Sequence, residues 1–165
     1  MICIDSDVFL IDLRYPADRR AATTRLFLKT MAGSGAAATT VFNLLEVTGV
    51  LSFNLSDQQV VDFYAHFPRR YNLRVLPYHD VARRLPALPL RQVLQTVQRK
   101  MAFGDALIAT LVNRLHSALE AFVTWNDVHF QGRLAVPVFT PTTYPSYRRR
   151  GERLKQRQGN SEARE

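Results

Sequence analysis

The sequence predicts one three-layer α/β/α domain built around a mainly parallel sheet. Three observations predict it: short apolar runs with strand character, helical stretches alternating with them, and a length of 165 residues, enough to bury a real core. The opening MICID is apolar with a polar stop, as suits a buried parallel strand. Ser6 or Asp7 is expected to cap a helical turn through VFLIDL. Pro16 is positioned to open the helix PADRRAATTRLFLKTMA, which Gly33 and Gly35 should close. A short AAA then leads into TTVFNLLEVTGVLSF, with Thr39 or Thr40 as its N-cap. Ser56 and Gln59 stand at capping-box spacing at the head of SDQQVVDFYAHF, and Pro68 should end that helix. NLRVLPY reads as a second strand. Beyond prolines 77, 86 and 89, a helix is expected from about Leu90 to Met101. Gly104 and Asp105 open another, DALIATLVNRLHS, and EAFVTW and AVPVFTP supply the last strands. No internal repeat is visible. The domain is expected over residues 1–145, and 146–165 form a basic tail expected to be disordered.

Composition narrows the function classes. A hydrophobic fraction of 47% fits an ordinary globular protein. The lone Cys3 excludes an internal disulfide and a cysteine-rich zinc site, suits a reducing compartment, and reads as a small buried residue. Acidic residues interrupt the first apolar run, so no signal peptide is expected. The longest apolar stretch, 36–53, contains Asn43 and Glu46 and is short for a bilayer span. A carboxylate at mid-membrane costs about 2.5 kcal/mol or more, so this stretch reads as a buried helix, and the protein is expected in the cytoplasm with no membrane partner. The formal net charge is +8. Residues 148–165 hold seven Lys/Arg against three Glu, which supplies +4 of it. Such a charge can favour a polyanionic partner through counterion release, but a solvated, disordered tail is the stronger explanation of it.

Several acids fall at element boundaries or inside apolar helices. Asp5 ends the first strand and Asp7 follows it. Glu46 lies within the most apolar helix, Asp105 at a helix start, and Asn126 and Asp127 directly after a strand. Taken singly, each has a structural explanation as a cap, a turn or an exposed helical position. Taken together, a central first strand would bring several of them to one carboxyl edge, where they would repel one another. A divalent cation reverses that penalty, and oxygen-only ligands favour Mg²⁺ or Mn²⁺ over zinc. The histidines at 66, 79, 116 and 129 have no HxxxH or HxH spacing, which argues against a histidine zinc site.

These residues resemble the PIN-domain family of Mg²⁺-dependent ribonucleases, which includes the VapC-type toxins of toxin–antitoxin pairs. Four blocks carry the resemblance in order: ICIDSDVFLIDL, TTVFNLLEV, GDALIAT and VTWNDVHF. The resemblance spans roughly residues 1–140. It implies metal-site acids at Asp5, Glu46 and Asp105. The fourth acidic position falls on Asn126, a departure for which Asp127 is the alternative. Ser6, Asp7 and Thr124 match flanking polar positions, Asp7 as a supporting residue or occasional metal ligand and Thr124 as one that orients an acid. The implied activity is hydrolysis of RNA phosphodiesters, leaving 5′-phosphate and 3′-hydroxyl ends, with Mg²⁺ or Mn²⁺ as cofactor. The implied partners are an RNA substrate, a cognate antitoxin that sets an Arg against the carboxylates, and a second copy of the chain.

Two other readings stand beside it. A degenerate PIN fold that binds RNA or protein is favoured by Asn126. The DxD in IDSDV also resembles the haloacid dehalogenase-type phosphatases, but their acid shortly after GD is replaced here by Ala109 and Thr110, and Lys100 lies only five residues before Asp105.

Overall fold

The computed structural model describes residues 1–148, so the basic tail expected over 146–165 lies almost wholly outside the described residues. Five strands form the sheet: β1 (Ile2–Ile4), β2 (Ala37–Thr40), β3 (Arg74–Leu76), β4 (Ala121–Val123) and β5 (Val138–Phe139). Their spatial order is β3-β2-β1-β4-β5, and every pairing is parallel. Ile2 lies opposite Ala37 on one side and Ala121 on the other, so β1 is central. The carboxyl ends of β1, β2 and β4 therefore share one edge, where ligands gather in such sheets.

The helices are α1 (Ser6–Arg14), α2 (Ala21–Ser34), α3 (Val41–Ser52), α4 (Asp57–Tyr71), α5 (Leu90–Gln98), α6 (Phe103–Arg114) and the short α7 (Asp127–Phe130). They cover both faces of the sheet, which makes three layers. Strand side chains alternate between the faces. Ile2, Ile4, Ala121 and Val123 enter one core with Phe9, Phe27, Met31, Phe67 and Tyr71. Cys3 and Phe122 enter the other with Ala106, Ala109, Val112 and Phe130. Burial raises the Cys3 thiol pKa, as befits a packing residue rather than a nucleophile. An aromatic cluster joins α1 to α4: Phe9 meets Phe67 edge-on at 4.9 Å and Tyr71 at 5.0 Å. Each such pair adds about 0.5–1.5 kcal/mol beyond area burial.

The structure differs from the sequence expectations at several element ends. Asp5, rather than Ser6 or Asp7, caps α1, accepting from Ser6 N at 2.9 Å. The helix expected from Pro16 begins only at Ala21, because Asp18 folds back on Arg20 and holds residues 15–20 in turns. Gly33 lies inside α2, and Gly35, with φ of 62°, makes the left-handed C-cap that favours glycine. Residues 37–40 form β2, not a lead into the next helix. Thr40 then caps α3 in a capping box with Asn43. The Ser56–Gln59 box is present, but α4 runs through Pro68 to Tyr71. Pro68 cannot donate to the Tyr64 carbonyl, four residues earlier. His79 Nε2 fills that role at 2.8 Å, with its ring stacked on Tyr64. Among the described residues, no helix is long and apolar enough to cross a membrane.

Candidate functional site

Asp5 follows β1 directly and is 4% exposed. Its Oδ1 accepts from Ser6 N and, at 2.7 Å, from Asn43 Nδ2 in the first turn of α3. Asn43 is fully buried, and its side-chain oxygen accepts from the Thr40 hydroxyl. The α3 capping box is therefore also the device that orients Asp5. One turn further along α3, Glu46 reaches back over the edge. Its Oε2 accepts from Ser6 Oγ at 2.6 Å, a contact that joins residues 40 apart in the chain. The Ser6 hydroxyl lies 3.4 Å from Asp5 Oδ1 as well, but its one hydrogen is best spent on the shorter bond. Glu46 is exposed as a residue, so it is the solvent-side member of this cluster.

Asp7 does a different job. Its Oδ2 accepts from Thr124 Oγ1, Trp125 N and Asn126 N at 2.9–3.1 Å, which clamps the segment after β4 onto α1. Its other oxygen, Oδ1, is buried without a hydrogen-bond partner. Trp125 is held in turn by its indole N–H to Thr24 Oγ1, with the Arg20 guanidinium 5.7 Å from its ring centre.

The electrostatics follow from this crowding. Burial, then repulsion from Asp7 and a smaller push from Glu46, holds the Asp5 carboxyl well above the usual carboxylate range. Burial pushes Asp7 up to about 6, against the pull of the Thr124 hydroxyl, the two loop amides and Arg20.

Asp105 stands in the first turn of α6, which Ala102 starts without a side-chain cap. Its Oδ2 lies 3.1 Å from His129 Nε2 on α7, and that imidazole nitrogen makes no aligned hydrogen bond. Asn126 takes part through its backbone N–H, and Asp127 accepts from Gln131. Asp5, Ser6, Asn43 and Glu46 thus form one hydrogen-bonded set and Asp7 with residues 124–126 another, related by the repulsion between Asp5 and Asp7. Asp105 pairs with His129, and the Asn126 and Asp127 side chains take no part in the cluster's hydrogen bonds. Two participants escaped the sequence reading. Asn43 was signalled by its place three residues before Glu46 on one helical face. His129 has no histidine partner by sequence spacing, and its neighbour in space is a carboxylate.

Among the described residues, no group of three or more His, Cys, Asp and Glu side chains lies close enough together to hold a metal ion. The donor chemistry still fits a hard divalent cation. The carboxylate donors of Asp5 and Glu46 are oxygens, burial and then like charge raise the Asp5 carboxyl, and close by Asp7 Oδ1 is buried without a partner.

No family model matches the chain, and no curated protein matches it. Among solved structures, that of FitAB bound to an IR36 DNA fragment is similar, with a TM-score of 0.53 at 14% identity, over 86% of this chain and 95% of that one. At that identity the likeness speaks for the fold, and the five-stranded parallel sheet flanked by helices is consistent with a PIN-like fold.

Proposed function

We propose that this chain is a metal-dependent endoribonuclease and the toxin half of a toxin–antitoxin pair. The observation that carries the reading is the Asp5–Ser6–Glu46 contact, which gathers carboxylates from α1 and α3 at the sheet's carboxyl edge. The likeness to FitAB supports a PIN-like fold and nothing finer; the toxin reading rests on the sequence blocks. Asp5 and Glu46 would hold Mg²⁺ or Mn²⁺ with water completing the sphere, and Asp105 would join on parting from His129. When bound, such a cation neutralises the carboxylates, acidifies a water and stabilises charge on phosphate oxygens. The chain's own residues prepare that site. Asn43 orients Asp5, Ser6 keeps Glu46 turned inward, and Asp7 fixes the 124–126 segment that leads to His129. The basic surface holds the phosphates of the RNA. An antitoxin and a second copy of the chain are the proposed protein partners.

The test is cleavage of single-stranded RNA. It should require Mg²⁺ or Mn²⁺, stop with EDTA, and disappear in Asp5→Asn with the circular dichroism spectrum unchanged. Metal-independent cleavage, or full activity in Asp5→Asn, overturns the proposal. The second reading, a PIN-like module that binds RNA or protein without cutting it, is favoured by the Asp105–His129 pair and by Asn126 in the fourth position. The phosphatase reading needs Asp7 as an acid facing substrate, whereas Asp7 Oδ2 already takes three bonds from the 124–126 segment.

A further inference from the structure

Away from the acidic cluster, α5 and α6 border a crevice of about 270 Å³ lined by Gln, Thr, Asn and Arg residues, with no acid among them. Its floor includes the buried Thr110 hydroxyl, 3.3 Å from Thr96 Oγ1, and the half-buried Asn113. Its rim carries Arg99 and Arg114, both exposed, and neither makes an ion pair among the described residues. Arg99 spends one guanidinium donor on the Gly132 carbonyl, and the Thr96 hydroxyl and Asn113 amide bond to backbone groups, so the charge that suits a phosphate oxyanion comes from the two guanidinium groups, with no carboxylate to oppose it.

The crevice is also tied to the candidate active site. Arg133 donates to the backbone carbonyls of His129 and Arg99, and Asn113 Nδ2 donates to the Arg133 carbonyl at 3.0 Å. A continuous set of contacts therefore runs from Asp105, through His129 and Arg133, to the α5–α6 pair. Along α6, Arg114 lies nine residues beyond Asp105, about 14 Å at the helical rise of 1.5 Å per residue. That is a reach of a few nucleotides.

We infer that the α5–α6 crevice is a backbone phosphate subsite for single-stranded RNA, built by Arg99 and Arg114. It rests on the nuclease reading for its substrate but not for its measurement. The experiment is binding of a fluorescent single-stranded RNA oligonucleotide in EDTA, followed against salt, in wild type, Arg114→Ala, Arg99→Gln/Arg114→Ala and Arg74→Ala. Arg74, on the edge strand β3, is the control for general loss of charge. Each subsite arginine removed should lower the slope of log K against log salt by about 0.7, and affinity about fivefold at 0.1 M salt. Arg74→Ala should do distinctly less. Pyrophosphate should displace the RNA from wild type more readily than from the double variant.

Equal losses in Arg74→Ala and Arg114→Ala would reduce the crevice to part of a general basic field and overturn the inference. So would pyrophosphate binding that the crevice variants weaken while RNA affinity stays the same, since the site would then serve a free anion. Failure of the nuclease reading is separately visible. Wild type would bind with these slopes yet cut nothing with Mg²⁺, and the subsite would stand.

Discussion

Replacing Asp7 with Asn tests how the acidic cluster is held together without a cation. Asp7 is buried against the 124–126 segment, with one oxygen saturated by three donors and the other unpartnered. Its folded-state pKa is raised to about 6, against about 3.9 in an unfolded chain. Between those values the native protein keeps a proton that the unfolded chain has released, so stability falls as pH rises, by about 1.4 kcal/mol per pH unit. Across roughly two units, Asp7 alone removes up to about 3 kcal/mol by pH 7. Asn keeps a carbonyl that can accept from Thr124, Trp125 and Asn126, and it has no charge to bury. Urea unfolding in EDTA from pH 4 to pH 7 should therefore show the Asp7→Asn variant gaining on wild type as pH rises, with the gain levelling off above about pH 6. A difference that stays flat across the range, or that shrinks towards pH 7, refutes the assignment of the burial penalty to Asp7.

Other perturbations separate the parts of the site. Asn43→Ala removes a capping box and a donor to a buried acid, about 2–4 kcal/mol together, and should lower Tm by roughly 5–15 °C in a thermal melt; a change under 2 °C would contradict the buried geometry. Ser6→Ala leaves the α1 cap intact, because the cap uses the Ser6 backbone N–H, yet frees Glu46. Isothermal titration should then show weaker Mn²⁺ binding at nearly unchanged Tm, and unchanged Mn²⁺ affinity would remove Ser6 from the site. His79→Ala leaves the Tyr64 carbonyl without its side-chain donor and should destabilise by about 1–3 kcal/mol, visible as a lower urea midpoint at constant m-value. No change would mean that water replaces the imidazole without loss.

What could be read from the chain, and what could not, divides along physical lines. The α/β class was legible because buried strands and amphipathic helices leave different periods in sequence. The Ser56–Gln59 box was legible because a cap is a local interaction. β2 was not: AATT has little apolar bulk, and it becomes core only because β1 and β3 flank it and Thr39 can donate to the Ile4 carbonyl. The course of α4 through Pro68 was equally hidden, since the compensating imidazole comes from His79, 15 residues away from Tyr64. At the site, the acids could be picked out by their apolar neighbours, and the central position of β1 explains why Asp5, Glu46 and the segment after β4 meet. The Asp105–His129 pairing depends on how α6 and α7 approach each other, which no spacing in the sequence encodes.

The cluster's architecture also determines how much the fold can depend on a cation. Each segment at the carboxyl edge is fixed by protein hydrogen bonds: Asp5 by Asn43, Glu46 by Ser6, and the segment after β4 by Asp7 and Thr24. Burial of Asp5 and repulsion from its acidic neighbours raise its pKa, while these hydrogen bonds keep the edge closed. A cation entering here would meet an edge already held by hydrogen bonds instead of organising the chain, unlike a zinc finger whose fold is made by its metal. Stabilisation by metal should then be no more than simple mass action allows, about 2.7 kcal/mol at a hundredfold excess over Kd. With EDTA the chain should still melt cooperatively with its helical signal intact, and added Mg²⁺ should raise Tm by an amount that keeps growing with the logarithm of its concentration. A chain that loses its fold on chelation would show that the bonds of Asp5 to Ser6 and Asn43, and of Asp7 to the 124–126 segment, are too weak to hold the edge, and that the acids are assembled by the ion.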